Sequence, residues 1–224
     1  MIKTDKVILT GLLLLLAGTL SAQKKIWLFQ GKNLNQWTAY TTSGLHQNNA
    51  RQLFPLDHGL ISLEGKSAGY LVSRNSYSNF ELTAQFKWNN DPGTARKSNS
   101  PNSGLMYLVP AHQQDHLWPA GYQFQIKPGH CGDFILLGQT TLVVDGQQQG
   151  PGQSIVVSRK KDISEKANGW NTICIRVHNG HIQHYLNGRL SNEGKQASVS
   201  SGRILLQYEG YPIQFRKIKL IVLQ

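Results

Sequence analysis

The sequence is poor in cysteine, in acidic residues and in long apolar runs. Two cysteines, Cys131 and Cys174, among 224 residues cannot form a disulfide framework. They lack the CxxC-type spacing of a thiolate zinc site. Cys131 falls in a turn region and Cys174 inside a strand pattern, so they read as two separate thiols. Only 12 Asp and Glu stand against 23 Lys and Arg, a formal net charge of +11. Such a balance can serve a polyanion partner, but the cations are scattered and the densest cluster is Arg159-Lys160-Lys161. The charge therefore reads as a solvated surface, and no nucleic acid partner is expected. The one long apolar run, Val7 to Leu16, follows Lys3 and Lys6 and ends in Thr19-Leu20-Ser21-Ala22. It is short for a bilayer span and closes on small residues, so residues 1–22 read as a signal peptide cleaved after Ala22. No cysteine stands at the cleavage point. The expected product is an exported protein, periplasmic or secreted, with no membrane attachment after cleavage.

Helical patterning is scarce too. Ile163 to Lys166 is the one stretch that suggests a helical turn, and Gly146 to Gly152 reads as loop. The remaining residues, 23–224, carry about a dozen short alternating segments separated by Gly, Pro, Asn and Ser. The clearest is Phe80 to Trp88, with Phe80, Leu82, Ala84, Phe86 and Trp88 on one face and Glu81, Thr83, Gln85 and Lys87 on the other. Ile173 to Val177 and His181 to Leu186 flank Asn179-Gly180, the dipeptide preferred in a type I′ hairpin turn, and Asn187-Gly188 starts a second such turn. The last strand, Pro212 to Leu223, changes phase near Arg216-Lys217, which predicts a bulge. The fold class is all-β, a single two-sheet antiparallel jelly-roll sandwich over 23–224. The centre of chemical interest is Ser100 to Phe134. Two alternating segments there, around Leu105 to Val109 and Tyr122 to Ile126, flank a loop with His112, Asp115, His116 and Trp118. The second turns at Pro128-Gly129 into His130-Cys131-Gly132-Asp133.

Four pieces in order carry a family resemblance. They are Trp27 to Trp37 (WLFQGKNLNQW), Asn102-Ser103-Gly104, Gly121 to Ile126 (GYQFQI), and Gly169-Trp170-Asn171 with His181 to Gly188 (HIQHYLNG). The closing Leu206 to Gly210 and Ile213 to Ile218 fit as well. Together they resemble the exported bacterial 3-keto-disaccharide hydrolase family, formerly a domain of unknown function, whose fold is the concanavalin A-like lectin/glucanase sandwich. The resemblance implies cleavage of the glycosidic bond of a 3-keto-glycoside or related disaccharide, with a carbohydrate as the substrate; no cofactor is expected. At Gln123 the family usually has Glu, and an amide cannot take a proton.

Ordinary glycosidases need two carboxylates roughly 5–10 Å apart. Beyond the leader, 12 − 1 = 11 acids remain, Asp5 being removed, and no E-x-D-x-x-E strand occurs. A ketone at C3 changes the requirement, because it acidifies the C2 proton; one base and one oxyanion stabiliser then suffice. Asp133 and His130 are the expected pair, with Glu209 an alternative base. Gln123, Gln125 and Asn102 offer amide donors and acceptors that match sugar hydroxyls. Tyr107, Trp118 and Tyr208 complete the expected substrate set, the first two as stacking surfaces. Some of His112, Asp115, His116, His130 and Asp133 could in principle hold a divalent ion, but no metal is expected. The alternative to an enzyme is a non-catalytic sugar-binding module on the same scaffold.

Overall fold

Phe80–Trp88 alternates buried and half-buried residues without a break, and it forms the middle of one sheet. A strand whose side chains point alternately to either face can bury one face and wet the other. The computed structural model describes residues 23–43, 46–47 and 49–224; the expected signal peptide lies outside them.

In chain order the strands are β1 (Lys25–Phe29), β2 (Trp37–Thr41), β3 (His46–Gln47), β4 (Leu56–Asp57), β5 (Leu60–Leu63) and β6 (Gly69–Ser73). Then come β7 (Phe80–Trp88), β8 (Ser103–Val109), β9 (Gly121–Ile126), β10 (Phe134–Leu137), β11 (Leu142–Val144) and β12 (Gln147–Gln149). The last are β13 (Ser154–Val157), β14 (Asn171–His178), β15 (His181–Leu186), β16 (Arg189–Gly194), β17 (Arg203–Tyr208) and β18 (Ile213–Val222). The first sheet runs β16-β15-β14-β7-β18-β5-β4 with β1 beside β18, and the second runs β13-β10-β9-β8-β17-β6-β2-β3. Strands β11 and β12 make a separate hairpin; β11 falls in the strand expected over Gln139 to Asp145, and β12 forms where the sequence pattern predicts loop. All pairings between these strands are antiparallel. The jelly-roll sandwich expected from the strand pattern is what forms.

The local signals act as their chemistry requires. Asn179 and Gly180 take φ of 48° and 74°, and Asn187 and Gly188 take 51° and 81°, the left-handed pair of a type I′ turn. Lys217 sits at φ 51° where the β18 register against β7 shifts, so the expected bulge is present. The helical turn expected at Ile163 to Lys166 does not form. Among the described residues the one helical turn is Ala50–Gln52, capped by the Asn49 side chain accepting from Arg51 N–H. Cys131 and Cys174 are free thiols, as their placement in a turn and in a strand suggested. Burial pushes both up to about 12, so each stays protonated at neutral pH.

Between the sheets lies one large apolar core that includes Trp37, Phe80, Phe86, Tyr107, Phe124, Phe134, Tyr208 and Phe215. A second cluster, Tyr70, Val72, Met106, Val109, Ile135, Leu137 and Leu205, covers the opposite face of the second sheet. That sheet is therefore apolar on both sides over much of its width. Its strand β8 is buried at every residue. Its outer face, under the loop of residues 110–120, is where the polar residues of interest emerge.

Candidate active-site cleft

Strand β17 sets the geometry by alternation. Ile204, Leu206 and Tyr208 enter the core between the sheets, while Leu205 joins the outer cluster. Gln207 and Glu209 continue that outer row. Gln207 is fully buried and its amide donates to Leu117 O at 2.9 Å, which ties the loop of residues 110–120 to the sheet. The loop is fixed at other points. Tyr70 OH donates to Asp115 at 2.5 Å, and the Gln113 side chain bonds Pro110 O, Ala120 O and Ala120 N–H. This clamp delivers Trp118 to the rim, 54% exposed, with its indole N–H donating to Glu209 Oε1 at 3.2 Å.

Glu209 is the end of a directed amide chain. Gln123 Nε2 donates to Gln125 Oε1 at 2.6 Å, Gln125 Nε2 donates to Asn102 Oδ1 at 3.0 Å, and Asn102 Nδ2 donates to the second Glu209 oxygen. A carboxylate only accepts, so the ionised acid fixes which way every amide in the chain points. The far end, Gln123 Oε1, is then a buried acceptor with no partner among the described residues. Glycine makes the chain sterically possible. A Cβ at Gly104 would stand 2.2 Å from Gln123 Cδ, so the Gln123 side chain lies where a residue-104 side chain would go. Burial holds the Glu209 carboxyl above the usual carboxylate range, an effect opposed by the Trp118 and Asn102 hydrogen bonds and by nearby Lys127.

These residues line an open cleft of about 640 Å³. Asn102, Gln123, Gln125, Trp118 and Glu209 form its polar end, while Ala120, Ile135, Leu137, Gly138 and Val156 form an apolar end, with His116, Gln113, Gln153 and Ser154 between and around them. Among the described lining residues Glu209 is the only carboxylate and His116 the only imidazole. The structure thus brings together five of the expected residues: Asn102, Trp118, Gln123, Gln125 and Glu209. Ile135, Leu137 and Val156 were not foreseen.

Four expected residues lie elsewhere. Asp133 is 2% exposed and outside the cleft lining. Its oxygens accept from Arg159 N–H at 2.8 Å and pair with His130 Nδ1 at 3.1 Å, holding the turn of residues 127–133 against the segment after β13. His130 points from that turn with its side chain more than half exposed. Tyr107 and Tyr208 are corrections. Both are wholly buried in the core, so neither can stack on a sugar. Tyr208 OH donates to Gly65 O at 2.6 Å. Tyr107 OH lies 2.7 Å from His184 Nε2, whose Nδ1 is 3.2 Å from Gly132 O. The carbonyl can only accept, so Nδ1 carries the proton and Nε2 accepts from the tyrosine. Burial pushes this imidazole down to about 3, which keeps it neutral. Among the described residues no three His, Cys, Asp or Glu side chains gather to hold a metal ion.

Two packed antiparallel sheets with a cleft across one outer face make the chain a jelly-roll sandwich. Residues 24–221 match the 3-keto-alpha-glucoside-1,2-lyase-like domain, and the chain belongs to that family. Two candidate glycosyl hydrolases from Parabacteroides distasonis share the fold. One has TM-score 0.60 and 17% identity, covering 89% of this chain and 94% of its own. The other has TM-score 0.57 and 20% identity, covering 89% and 100%. The Bacillus licheniformis β-glucanase is similar at TM-score 0.53 with 12% identity, covering 92% of this chain and 100% of its own. No curated protein sequence matches the chain.

Proposed function

We propose that the protein cleaves the glycosidic bond of 3-keto-glucosides by proton abstraction, with Glu209 as the base. The observation that carries the reading is the lone, half-buried carboxylate of the cleft. Among the described lining residues two-carboxylate hydrolysis finds no second acid to use, whereas elimination needs only one. The Glu209 carboxylate takes the C2 proton, and the C–H electrons form the C2=C3 bond of an enolate with its charge on the C3 oxygen. Collapse of the enolate re-forms the ketone, shifts the double bond to C1=C2 and breaks the C1–O bond. The proton that Glu209 has taken is the one the departing alkoxide needs, so the step balances without a second acid. Addition of water to the unsaturated ketone would make the net reaction a hydrolysis.

Each amide of the chain has a second N–H beyond the one the chain uses. Those donors suit the enolate oxygen and the sugar hydroxyls, and Gln123 Oε1 offers a preformed acceptor for a hydroxyl. The exposed Trp118 face lies beside the acid, ready to stack on the ring. Residues 1–22 are read as an export signal, which would place this chemistry in the periplasm or outside the cell. A non-catalytic sugar-binding module is the second reading, favoured by both Glu209 oxygens already accepting hydrogen bonds. Incubation with methyl 3-keto-α-glucoside separates the two. Formation of the unsaturated keto-sugar with release of methanol is the expected result, and tight binding with no methanol would leave the module reading in its place.

A further inference from the structure

We infer that the subsite receiving the leaving group is built for an apolar aglycone rather than a second sugar. The inference rests on the elimination reading, because that reading seats the keto-sugar against Glu209 and sends its C1 substituent along the cleft. Strand register shows where the substituent goes. Gln123 of β9 lies opposite Ile135 of β10, and Ile135 lies opposite Val156 of β13, so one outward row passes from amide to isoleucine to valine. One step along, Leu137 faces the same way, and Gly138 after it is packed against Ala120. Adjacent strands are ~4.8 Å apart, so the apolar floor begins one strand beyond the amide chain and continues to the sheet edge.

A second sugar ring would bring several hydroxyls to that floor, and each needs a partner when it leaves water. The polar groups nearby are poor candidates. Gln113 has both ends of its amide committed to Pro110 and Ala120, and His116, Gln153 and Ser154 stand on the exposed rim. Exposure gives independent support. Among the described residues three large hydrophobic side chains are classed as exposed, and two of them, Trp118 at 54% and Val156 at 59%, line this cleft. Apolar side chains left open on a groove that continues from a polar site are suited to a ligand with an apolar portion. The edge position of β13 explains how Val156 can stay open: it has a strand partner on one side only.

The test uses three alcohol leaving groups, as the methyl, cyclohexylmethyl and glucosyl 3-keto-α-glucosides. The cyclohexylmethyl glycoside is expected to show kcat/KM at least about tenfold above both others, the size of effect that a few buried methylenes give. Val156→Asn, on an exposed edge, should cut the cyclohexylmethyl-to-methyl ratio at least about threefold. A ratio near one, or a preference for the disaccharide, would overturn the apolar subsite and leave the cleavage reading intact. If none of the three is cleaved, the cleavage reading fails, and calorimetric titration decides the subsite alone. Binding of the cyclohexylmethyl glycoside at least about tenfold tighter than the methyl glycoside upholds it, and equal binding removes it.

Discussion

Asp133 and Glu209 are both acids at the ends of strands, each held by two hydrogen-bond donors, yet they sit in opposite circumstances. Asp133 is sealed by its own turn, with Arg159 N–H on one oxygen and His130 on the other. Glu209 takes its bonds from Asn102 and Trp118 but keeps a side open to the cleft. The donors around Asp133 come from a neighbouring backbone and an adjacent loop side chain, so they fix the chain. Those around Glu209 come from side chains that themselves line the cleft, so they orient a group toward a ligand. A hydrogen-bonded carboxylate alone is therefore no mark of reactivity; partial desolvation beside an accessible space is the more telling combination.

The hardest way to break this comparison is to neutralise each acid in turn. Glu209→Gln should lower kcat/KM for aglycone release by about 10²–10⁴-fold, the range for loss of a general base, with a smaller loss of stability than at Asp133, because an amide N–H turned toward Asn102 or Trp118 can still be hydrated from the open side. Asp133→Asn should do the reverse. Its amide cannot accept from both Arg159 and His130 without presenting an N–H to one of them, so stability falls by about 1–3 kcal/mol while the folded fraction turns over within a few-fold of wild type. Denaturant titration and steady-state kinetics on both variants check the pair. An inactive, stable Asp133→Asn would exchange the two roles.

Gly104→Ala sharpens the contrast from within the cleft. The added Cβ would fall 2.2 Å from Gln123 Cδ, so the amide must leave its place. We expect a loss of about 1–3 kcal/mol from the clash together with a roughly tenfold fall in kcat/KM, read from the same two assays. Activity untouched by this substitution would show that the Gln123–Gln125–Asn102 chain does not serve the acid.

Much of this was legible in the residues. Alternation in Phe80–Trp88 and the two Asn-Gly turns specify strands and hairpins directly, because each strand has one wet face and each turn needs positive φ. Gln123, Gln125 and Glu209 were readable as outward residues for the same reason. What failed was alternation where both faces are buried. Phe134–Leu137 is apolar throughout, since Phe134 and Leu136 face the core and Ile135 and Leu137 the outer cluster, so the strand and its apolar floor left no periodic trace. On β8 the phase breaks at Leu108, φ 52°, where the register against β17 shifts. Leu105, Tyr107 and Leu108 then face the core while Met106 and Val109 face out, and a tyrosine that alternation could not assign to either face is buried. The cluster His130-Cys131-Gly132-Asp133 drew attention by composition, but proximity in sequence at a tight turn serves the turn.

The finest test of the comparison is the pH profile. Burial raises the Glu209 carboxyl, and the base must be ionised to act, so kcat/KM should fall toward acid pH with its midpoint above the ordinary glutamate value of about 4.3. Trp118 and Asn102 favour the charged form. Trp118→Phe, which keeps the aromatic face and removes the N–H, should therefore move that midpoint further toward neutral. Stability carries the opposite sign. A carboxyl raised on folding contributes fully below its unfolded value and loses that contribution as pH climbs through the folded one, so wild type should lose stability relative to Glu209→Gln between about pH 3 and pH 7. Asp133→Asn should leave the midpoint of the activity profile where it is. An acid limb that follows position 133 instead of position 118 would mean that the sealed carboxylate, rather than the open one, governs turnover.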